Sequence, residues 1–204
     1  DFRSPMFESA APQDNSNLRL EKGLSCDVRH RFAFSMVYNI PAWNKNGFVR
    51  TVTKDWRLST IYQAQSGFPL TISVFGDTAN AGTLLGENPV RANYTGQPVF
   101  GPNTQTADRW FNPAAFATPA AFTFGEVGRN TVTGPGRQTL DLALQREFSM
   151  TETVKLQIRA EAFNALNHTN LGTPNRFVNT PQFGTITEAA TPGREIQFGA
   201  RLSF

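Results

Sequence analysis

The chain has 204 residues, 39% hydrophobic, 12% aromatic and 17% charged, with 18 Phe, 16 Gly and 13 Pro, a mix suited to strands and turns rather than long helices. Its 19 Lys and Arg against 16 Asp and Glu leave a formal net charge of +3, scattered without a basic run, which argues against a nucleic-acid partner. A single cysteine, Cys26, excludes an internal disulfide framework, and no stretch reaches the roughly 18 consecutive apolar residues of a transmembrane helix.

Residues 1–25 are polar and broken by Pro5 and Pro12, which predicts a loop, frayed chain or incomplete strand. The sequence opens on Asp1 with no leader-like apolar region, so it is read as a fragment whose export signal is lost or lies upstream. A strand is expected over 27–41, because Phe32, Phe34, Met36, Tyr38 and Ile40 alternate with Arg31, Ala33, Ser35, Val37 and Asn39. After a moderate turn, Trp56, Leu58, Tyr62 and Ala64 alternate with Arg57, Ser59, Gln63 and Gln65. Continuation through Leu70, Ile72 and Val74 gives an expected strand over 54–74.

Residues 75–137 read as one long connection rich in Gly, Pro, Asn and Thr, a length that a compact soluble domain does not leave structureless without a function. Alternation then returns over 138–148, with Leu140, Leu142, Leu144 and Phe148 on one face and Asp141, Ala143, Gln145 and Glu147 on the other. Arg146 is the exception on the apolar face, where it is expected to snorkel. A tight turn leads into 153–165, where Leu156, Ile158, Ala160 and Ala162 oppose Lys155, Gln157, Arg159 and Glu161. A second long connection precedes 194–204, where Ile196, Phe198, Ala200, Leu202 and Phe204 alternate with Glu195, Gln197, Gly199, Arg201 and Ser203.

Runs of this length suit the roughly 9–11 residues of a tilted strand that crosses a bilayer. The mean hydropathy of −0.35 is compatible with that, since only every second residue of such a strand faces lipid. Short and long connections alternate, and placing both long ones outside the cell puts the shorter turns and Phe204 together on the periplasmic side. The expected fold is therefore all-β: antiparallel up-and-down strands forming the C-terminal fragment of a transmembrane outer-membrane β-barrel with long extracellular loops.

The ending Gln197-Phe198-Gly199-Ala200-Arg201-Leu202-Ser203-Phe204 resembles the C-terminal signal read by the outer-membrane barrel assembly machinery, an edge strand suited to β-augmentation. In that resemblance Gln197, Gly199, Leu202 and Phe204 carry the signal. Further motifs run in order along the chain: Asp27-Val28-Arg29-His30-Arg31-Phe32, Ala64-Gln65-Ser66-Gly67-Phe68-Pro69, Trp110-Phe111-Asn112-Pro113-Ala114-Ala115-Phe116, Phe124-Gly125 through Gly128-Arg129-Asn130, Gly134-Pro135-Gly136, and Arg159-Ala160-Glu161-Ala162-Phe163-Asn164-Ala165-Leu166-Asn167-His168. Together they look like the C-terminal barrel of Oar-like TonB-dependent receptors, a resemblance over about residues 26–204. It implies an outer-membrane location in a Gram-negative-type bacterium and transport of an unknown substrate with inner-membrane energy. It also implies outer-membrane lipid, the assembly machinery, and TonB through an upstream plug region absent here as partners.

The candidate residues follow from these expectations. Trp110, Phe111, Asn112 and Phe116 are candidate ligand contacts on an extracellular loop, against the plainer reading that the aromatics bury one another to order that loop. Asp141, Arg159, Glu161 and Arg201 are expected to form a lumenal polar ladder between strands. Trp43, Trp56, Tyr62 and Phe148 suit an interfacial aromatic belt. The Gly125–Gly136 stretch lacks the Gly-Lys-Ser/Thr of a phosphate-binding loop and suits close packing. His30 and His168 are the only histidines and lie at strand edges, and Ser25, Asp27 and His30 share only residue types with a triad. No catalytic residue, metal or cofactor is expected. Two alternatives share the pattern: a passive porin-like or adhesion barrel, and a soluble secreted β-sandwich binding module.

Overall fold

The computed structural model describes residues 12–23, 27–42, 47–82 and 90–204. Ser25, Cys26 and Trp43 lie outside them, as does most of the expected N-terminal loop. The chain divides into two units, one of Asp1–His30, Ser66–Gly136 and Asn170–Ala190, the other of Arg31–Gln65, Arg137–Thr169 and Thr191–Phe204.

Among the described residues the strands in chain order are β1 (Arg31–Ile40), β2 (Trp56–Gln65), β3 (Pro69–Leu70), β4 (Asn93–Tyr94), β5 (Phe116–Ala117), β6 (Val132–Thr133), β7 (Arg137–Ser149), β8 (Lys155–Phe163) and β9 (Glu195–Ser203), with one six-residue helix, α1 (Phe48–Thr53). The second unit is a five-stranded sheet in the order β1-β2-β7-β8-β9. All four pairings are antiparallel. The register explains why period-2 alternation was decisive. Phe34 stands opposite Tyr62, Leu58 opposite Leu144, Leu142 opposite Ala162, and Ala160 opposite Phe198, so each strand turns its apolar positions to the same face. A slip of one residue in any pairing would send that strand's apolar set to the polar face.

That apolar face is open along the edge strands β1 and β9 and half-buried along the central strands. Phe32 is 58% exposed and Phe198 is 82% exposed, and Phe34, Met36, Tyr38, Ile196 and Leu202 are also exposed. A soluble sandwich would bury these side chains beneath a second large sheet. The other two sheets among the described residues have two strands each, β3-β6 and β4-β5. The polar face is not free of apolar groups, since Val37 and Ile61 stand there among Ser35, Ser59 and Gln63. The tight turn between β7 and β8 closes with the Met150 amide donating to the Val154 carbonyl at 2.9 Å.

The expected strand over 54–74 is shorter in the structure. β2 ends at Gln65, and Gly67 then comes close enough to Gly134 that a Cβ there would lie 1.8 Å from the Gly134 carbonyl oxygen. Leu70, Ile72 and Val74 leave the large sheet for the core of the first unit, where all three are buried. Sequence alternation could not distinguish these destinations, because an apolar residue at every second position fits either surface.

The first unit has a continuous core of Leu70, Ile72, Ala92, Trp110, Phe111, Ala115, Phe116, Val127, Val132, Phe183 and Ile186. Regular structure in it is sparse, and loop-to-loop backbone bonds replace long ladders. The Ala92 amide donates to Ile72 O at 3.1 Å, Val127 to Ala92 O at 3.0 Å and Trp110 to Gly184 O at 2.8 Å. The N-terminal segment is not frayed where it is described: Leu18–Glu21 form a 3-10 turn, and the Arg129 amide donates to Leu20 O at 2.7 Å.

Candidate functional site

On the polar face of the large sheet, Arg159 and Glu161 form an ion pair, and Gln197 Nε2 donates to the other oxygen of the same carboxylate. Glu161 and Gln197 are cross-strand partners, which is why the two reach each other. Lys155 and Glu147 add a second bridge at 3.1 Å between β7 and β8. Of the four residues expected in the ladder, Arg159 and Glu161 are thus in direct contact. Arg201 stands opposite Gln157. Asp141 does different work, because its Oδ1 accepts from the Asn164 amide at 2.9 Å and stops the chain beyond β8.

Asn164 is the pivot of that turn. It is buried, its φ of 47° lies in the left-handed region that Asn tolerates, and its Oδ1 accepts from the His168 amide at 3.0 Å. Its Nδ2 donates to the carbonyls of His168 at 3.0 Å and Pro192 at 3.2 Å. These contacts account for the asparagine at position 164, the first residue of the Asn-Ala-Leu-Asn-His segment. At the same strand ends Tyr62 hydroxyl donates to Gln138 Oε1 at 3.3 Å, and Gln138 Nε2 lies 3.2 Å from His168 Nε2. Tyr62 also packs against Phe32 with ring centroids 6.0 Å apart. Trp56 and Phe148 stand toward the opposite strand ends, with Trp56 roughly 20 Å from Tyr62 along the strand.

In the first unit the aromatic candidates are spent on one another. Phe111 is 0% exposed, and Trp110 and Phe116 are buried too. The rings of Phe111, Phe116 and Phe183 form a triangle with centroid separations of 5.7, 5.0 and 6.0 Å. Trp110 Nε1 donates to the Thr133 carbonyl at 2.9 Å. Asn112 accepts from the Ala114 amide at 3.2 Å and donates to Pro98 O at 3.2 Å, capping a 3-10 turn. These contacts give the Trp-Phe-Asn-Pro segment a packing role and leave Phe111 no surface toward a ligand. Gly184, with φ of +81°, lets the chain pass where a Cβ would come within 3.2 Å of the Phe111 ring.

A polar centre that alternation could not reveal lies beside this core. Arg91, only 3% exposed, pairs with Glu21, whose second oxygen meets Arg129 Nε at 3.1 Å. Arg91 Nη1 also donates to Leu20 O at 3.1 Å, while Gln13 Oε1 accepts from the Arg91 amide at 2.6 Å. Gly125 fits beneath it, since a Cβ there would lie 1.9 Å from the Arg91 carbonyl oxygen. The glycines of this stretch thus serve close packing. The only hint in sequence was the isolated Arg91 between Val90 and Ala92.

The same unit encloses an open recess of about 760 Å³ whose lining includes Arg19, Lys22, Arg29, His30, Arg129 and Asp27. Arg29 and Asp27 lie 3.8 Å apart, so the remaining charge of the lining is positive, and such a concave surface attracts anionic groups. Elsewhere in the unit the Arg176 guanidinium lies 5.2 Å from the Phe177 ring, and burial holds it below its ordinary pKa. Among the described residues no group of three or more His, Cys, Asp or Glu is placed to hold a metal ion.

Residues Gln197, Gly199 and Leu202 lie on β9, an edge of the sheet, and Phe204 follows it, 96% exposed. Nothing lies within 4 Å of a Cβ built at Gly199, so space alone does not require glycine there. Leu202 stands opposite Leu156 on the apolar face.

A family model described as an outer membrane beta barrel domain matches residues 2–197. Comparison with curated proteins and comparison with solved structures each gave no match. With nearly the whole chain inside that match, and a five-stranded antiparallel sheet whose apolar side chains share one face, the chain belongs to the outer membrane β-barrel domain family and resides in the outer membrane.

Proposed function

We propose that this chain contributes strands and extracellular segments to the barrel of an energised receptor, of the TonB-dependent, Oar-like kind, that carries a substrate across the outer membrane. The observation that carries the reading is the first unit. Its connections are far longer than strand turnover requires, and they fold around their own core beside a cation-lined recess. Long, ordered external segments suit capture of a scarce ligand better than free passage of solutes. The run of motifs that resembles Oar-like receptors is in keeping with the same assignment. In this reading TonB acts through a plug outside the chain, substrate is moved without catalytic residue, metal or cofactor, and β9 is the strand presented to the assembly machinery.

Conductance across a planar bilayer tests it. The assembled protein is expected to hold the membrane closed at rest and to bind the periplasmic domain of TonB. A steady, open-channel conductance with no retention of TonB would establish a passive pore instead.

A further inference from the structure

The connection between β1 and β2 contains a helix that strand reversal does not need. α1 spans six residues, Phe48–Thr53, too few to persist in water unaided, and Val49 and Val52 are β-branched residues of modest helix propensity. It is held from outside. The Val52 carbonyl oxygen accepts from Trp56 Nε1 at 2.8 Å and from Arg146 Nη1 at 2.6 Å. Trp56 and Arg146 are cross-strand partners on the apolar face, so the helix is fastened to the side of the sheet that meets lipid. Arg146 is 6% exposed there, its guanidinium 4.2 Å from the Phe148 ring and 5.7 Å from the Trp56 ring. The rings and the carbonyl make a cation tolerable on a face that otherwise excludes charge.

Phe48, Val49 and Val52 occupy positions i, i+1 and i+4, an arc about 100° wide, and Arg50 falls on the opposite side of the helix. All three apolar side chains are exposed, Phe48 at 81%. The connection that holds α1 leaves from the same strand ends as the tight β7–β8 turn, which in this family is the periplasmic side.

We propose that α1 is an interfacial helix that docks on the phospholipid of the periplasmic leaflet. Phe48, Val49 and Val52 insert at the boundary of headgroups and acyl chains, while Arg50 and the Lys54–Asp55 pair, 3.6 Å apart, lie at headgroup level. Continuity selects lipid as the occupant, because the apolar arc extends the membrane-facing side of the sheet through the two bonds to Val52. A short amphipathic helix beside a Trp is suited to that depth.

Nitroxide labels at Phe48→Cys, Val49→Cys, Arg50→Cys and Val52→Cys, in a Cys26→Ser background, test this in the assembled barrel in vesicles of phosphatidylethanolamine and phosphatidylglycerol. Heat-modifiable migration in gels verifies that each variant is folded. Relaxation by oxygen is expected to exceed relaxation by an aqueous nickel chelate at 48, 49 and 52, with the order reversed at 50. Dominance of the nickel chelate at all four positions would place the helix in water and overturn the proposal. Protection from both relaxants at 48, 49 and 52 would overturn it equally, by showing a protein surface over the arc. Should Val52→Cys disturb the Arg146 anchor and prevent folding, positions 48 and 49 against 50 decide.

Discussion

The guanidinium of Arg91 meets the carboxylate of Glu21 across 70 positions of sequence, and this pair ties the N-terminal segment to the core of the first unit. Removing one partner leaves the other charge buried, a loss of about 3–5 kcal/mol. Glu21→Ala is therefore expected to destabilise that unit. Hydrogen exchange should accelerate at the Arg91, Val127 and Arg129 amides and remain unchanged at the β7–β8 pairing.

Phe111→Ala is expected to cost about 3–5 kcal/mol through the cavity it leaves between Phe116 and Phe183. Phe122→Ala, at an exposed ring, should fall within about 0.5 kcal/mol of the parent. Denaturant titration of both variants checks the contrast. Equal effects would remove Phe111 from its central place.

Leu142 lies near the middle of β7 on the apolar face, and Gln145 lies on the other. Leu142→Arg should weaken folding into bilayers by about 2–4 kcal/mol. Gln145→Arg should change it much less. Reversible unfolding from vesicles measures both, and a penalty confined to position 145 would invert the assignment of faces.

Arg146→Met keeps the volume near Trp56 and Phe148 but removes the donor to Val52. The sheet is expected to stay folded while the Lys54 amide, which donates to Arg50 O at 3.0 Å, exchanges faster. Exchange followed by mass spectrometry gives the answer.

Deletion of Phe204 tests the proposed assembly role of β9. The variant should accumulate as unfolded, protease-sensitive chain, with the heat-modifiable folded form reduced several-fold. Undiminished assembly would leave Gln197, Gly199 and Leu202 as ordinary strand residues.

The large sheet was legible because its physics has one period. Each strand places apolar side chains two apart, and Leu142, Ala162 and Phe198 reveal their face before any partner is known. The first unit lacks such a signal. Its core gathers Ile72, Phe111, Val127 and Phe183 from segments with little regular structure, and their mutual contacts depend on long-range closure. The Glu21–Arg91 pair shows in sequence only as an isolated Arg91 between Val90 and Ala92, with nothing to name its partner. α1 had a weak signature in the spacing of Phe48, Val49 and Val52, set against β-branched residues that favour extended chain. Trp110 to Phe116 is legible in sequence as a segment rich in rings, but composition does not say whether those rings face inward.

The pairing of β3 with β6 bears on the order in which the molecule assembles. Pro69 and Leu70 pair with Thr133 and Val132, segments a few residues along the sequence from Gln65 and Arg137, which form the last rung of β2 and β7. Bringing Gln65 to Arg137 by random search carries the entropic cost of closing a long chain segment. If the segment folds first, its own clasp has already brought those ends together, and β2 need only zip onto β7. The external segments would then act as a folding template for a non-local strand pair, so that loosening their clasp slows insertion without touching any membrane-facing residue.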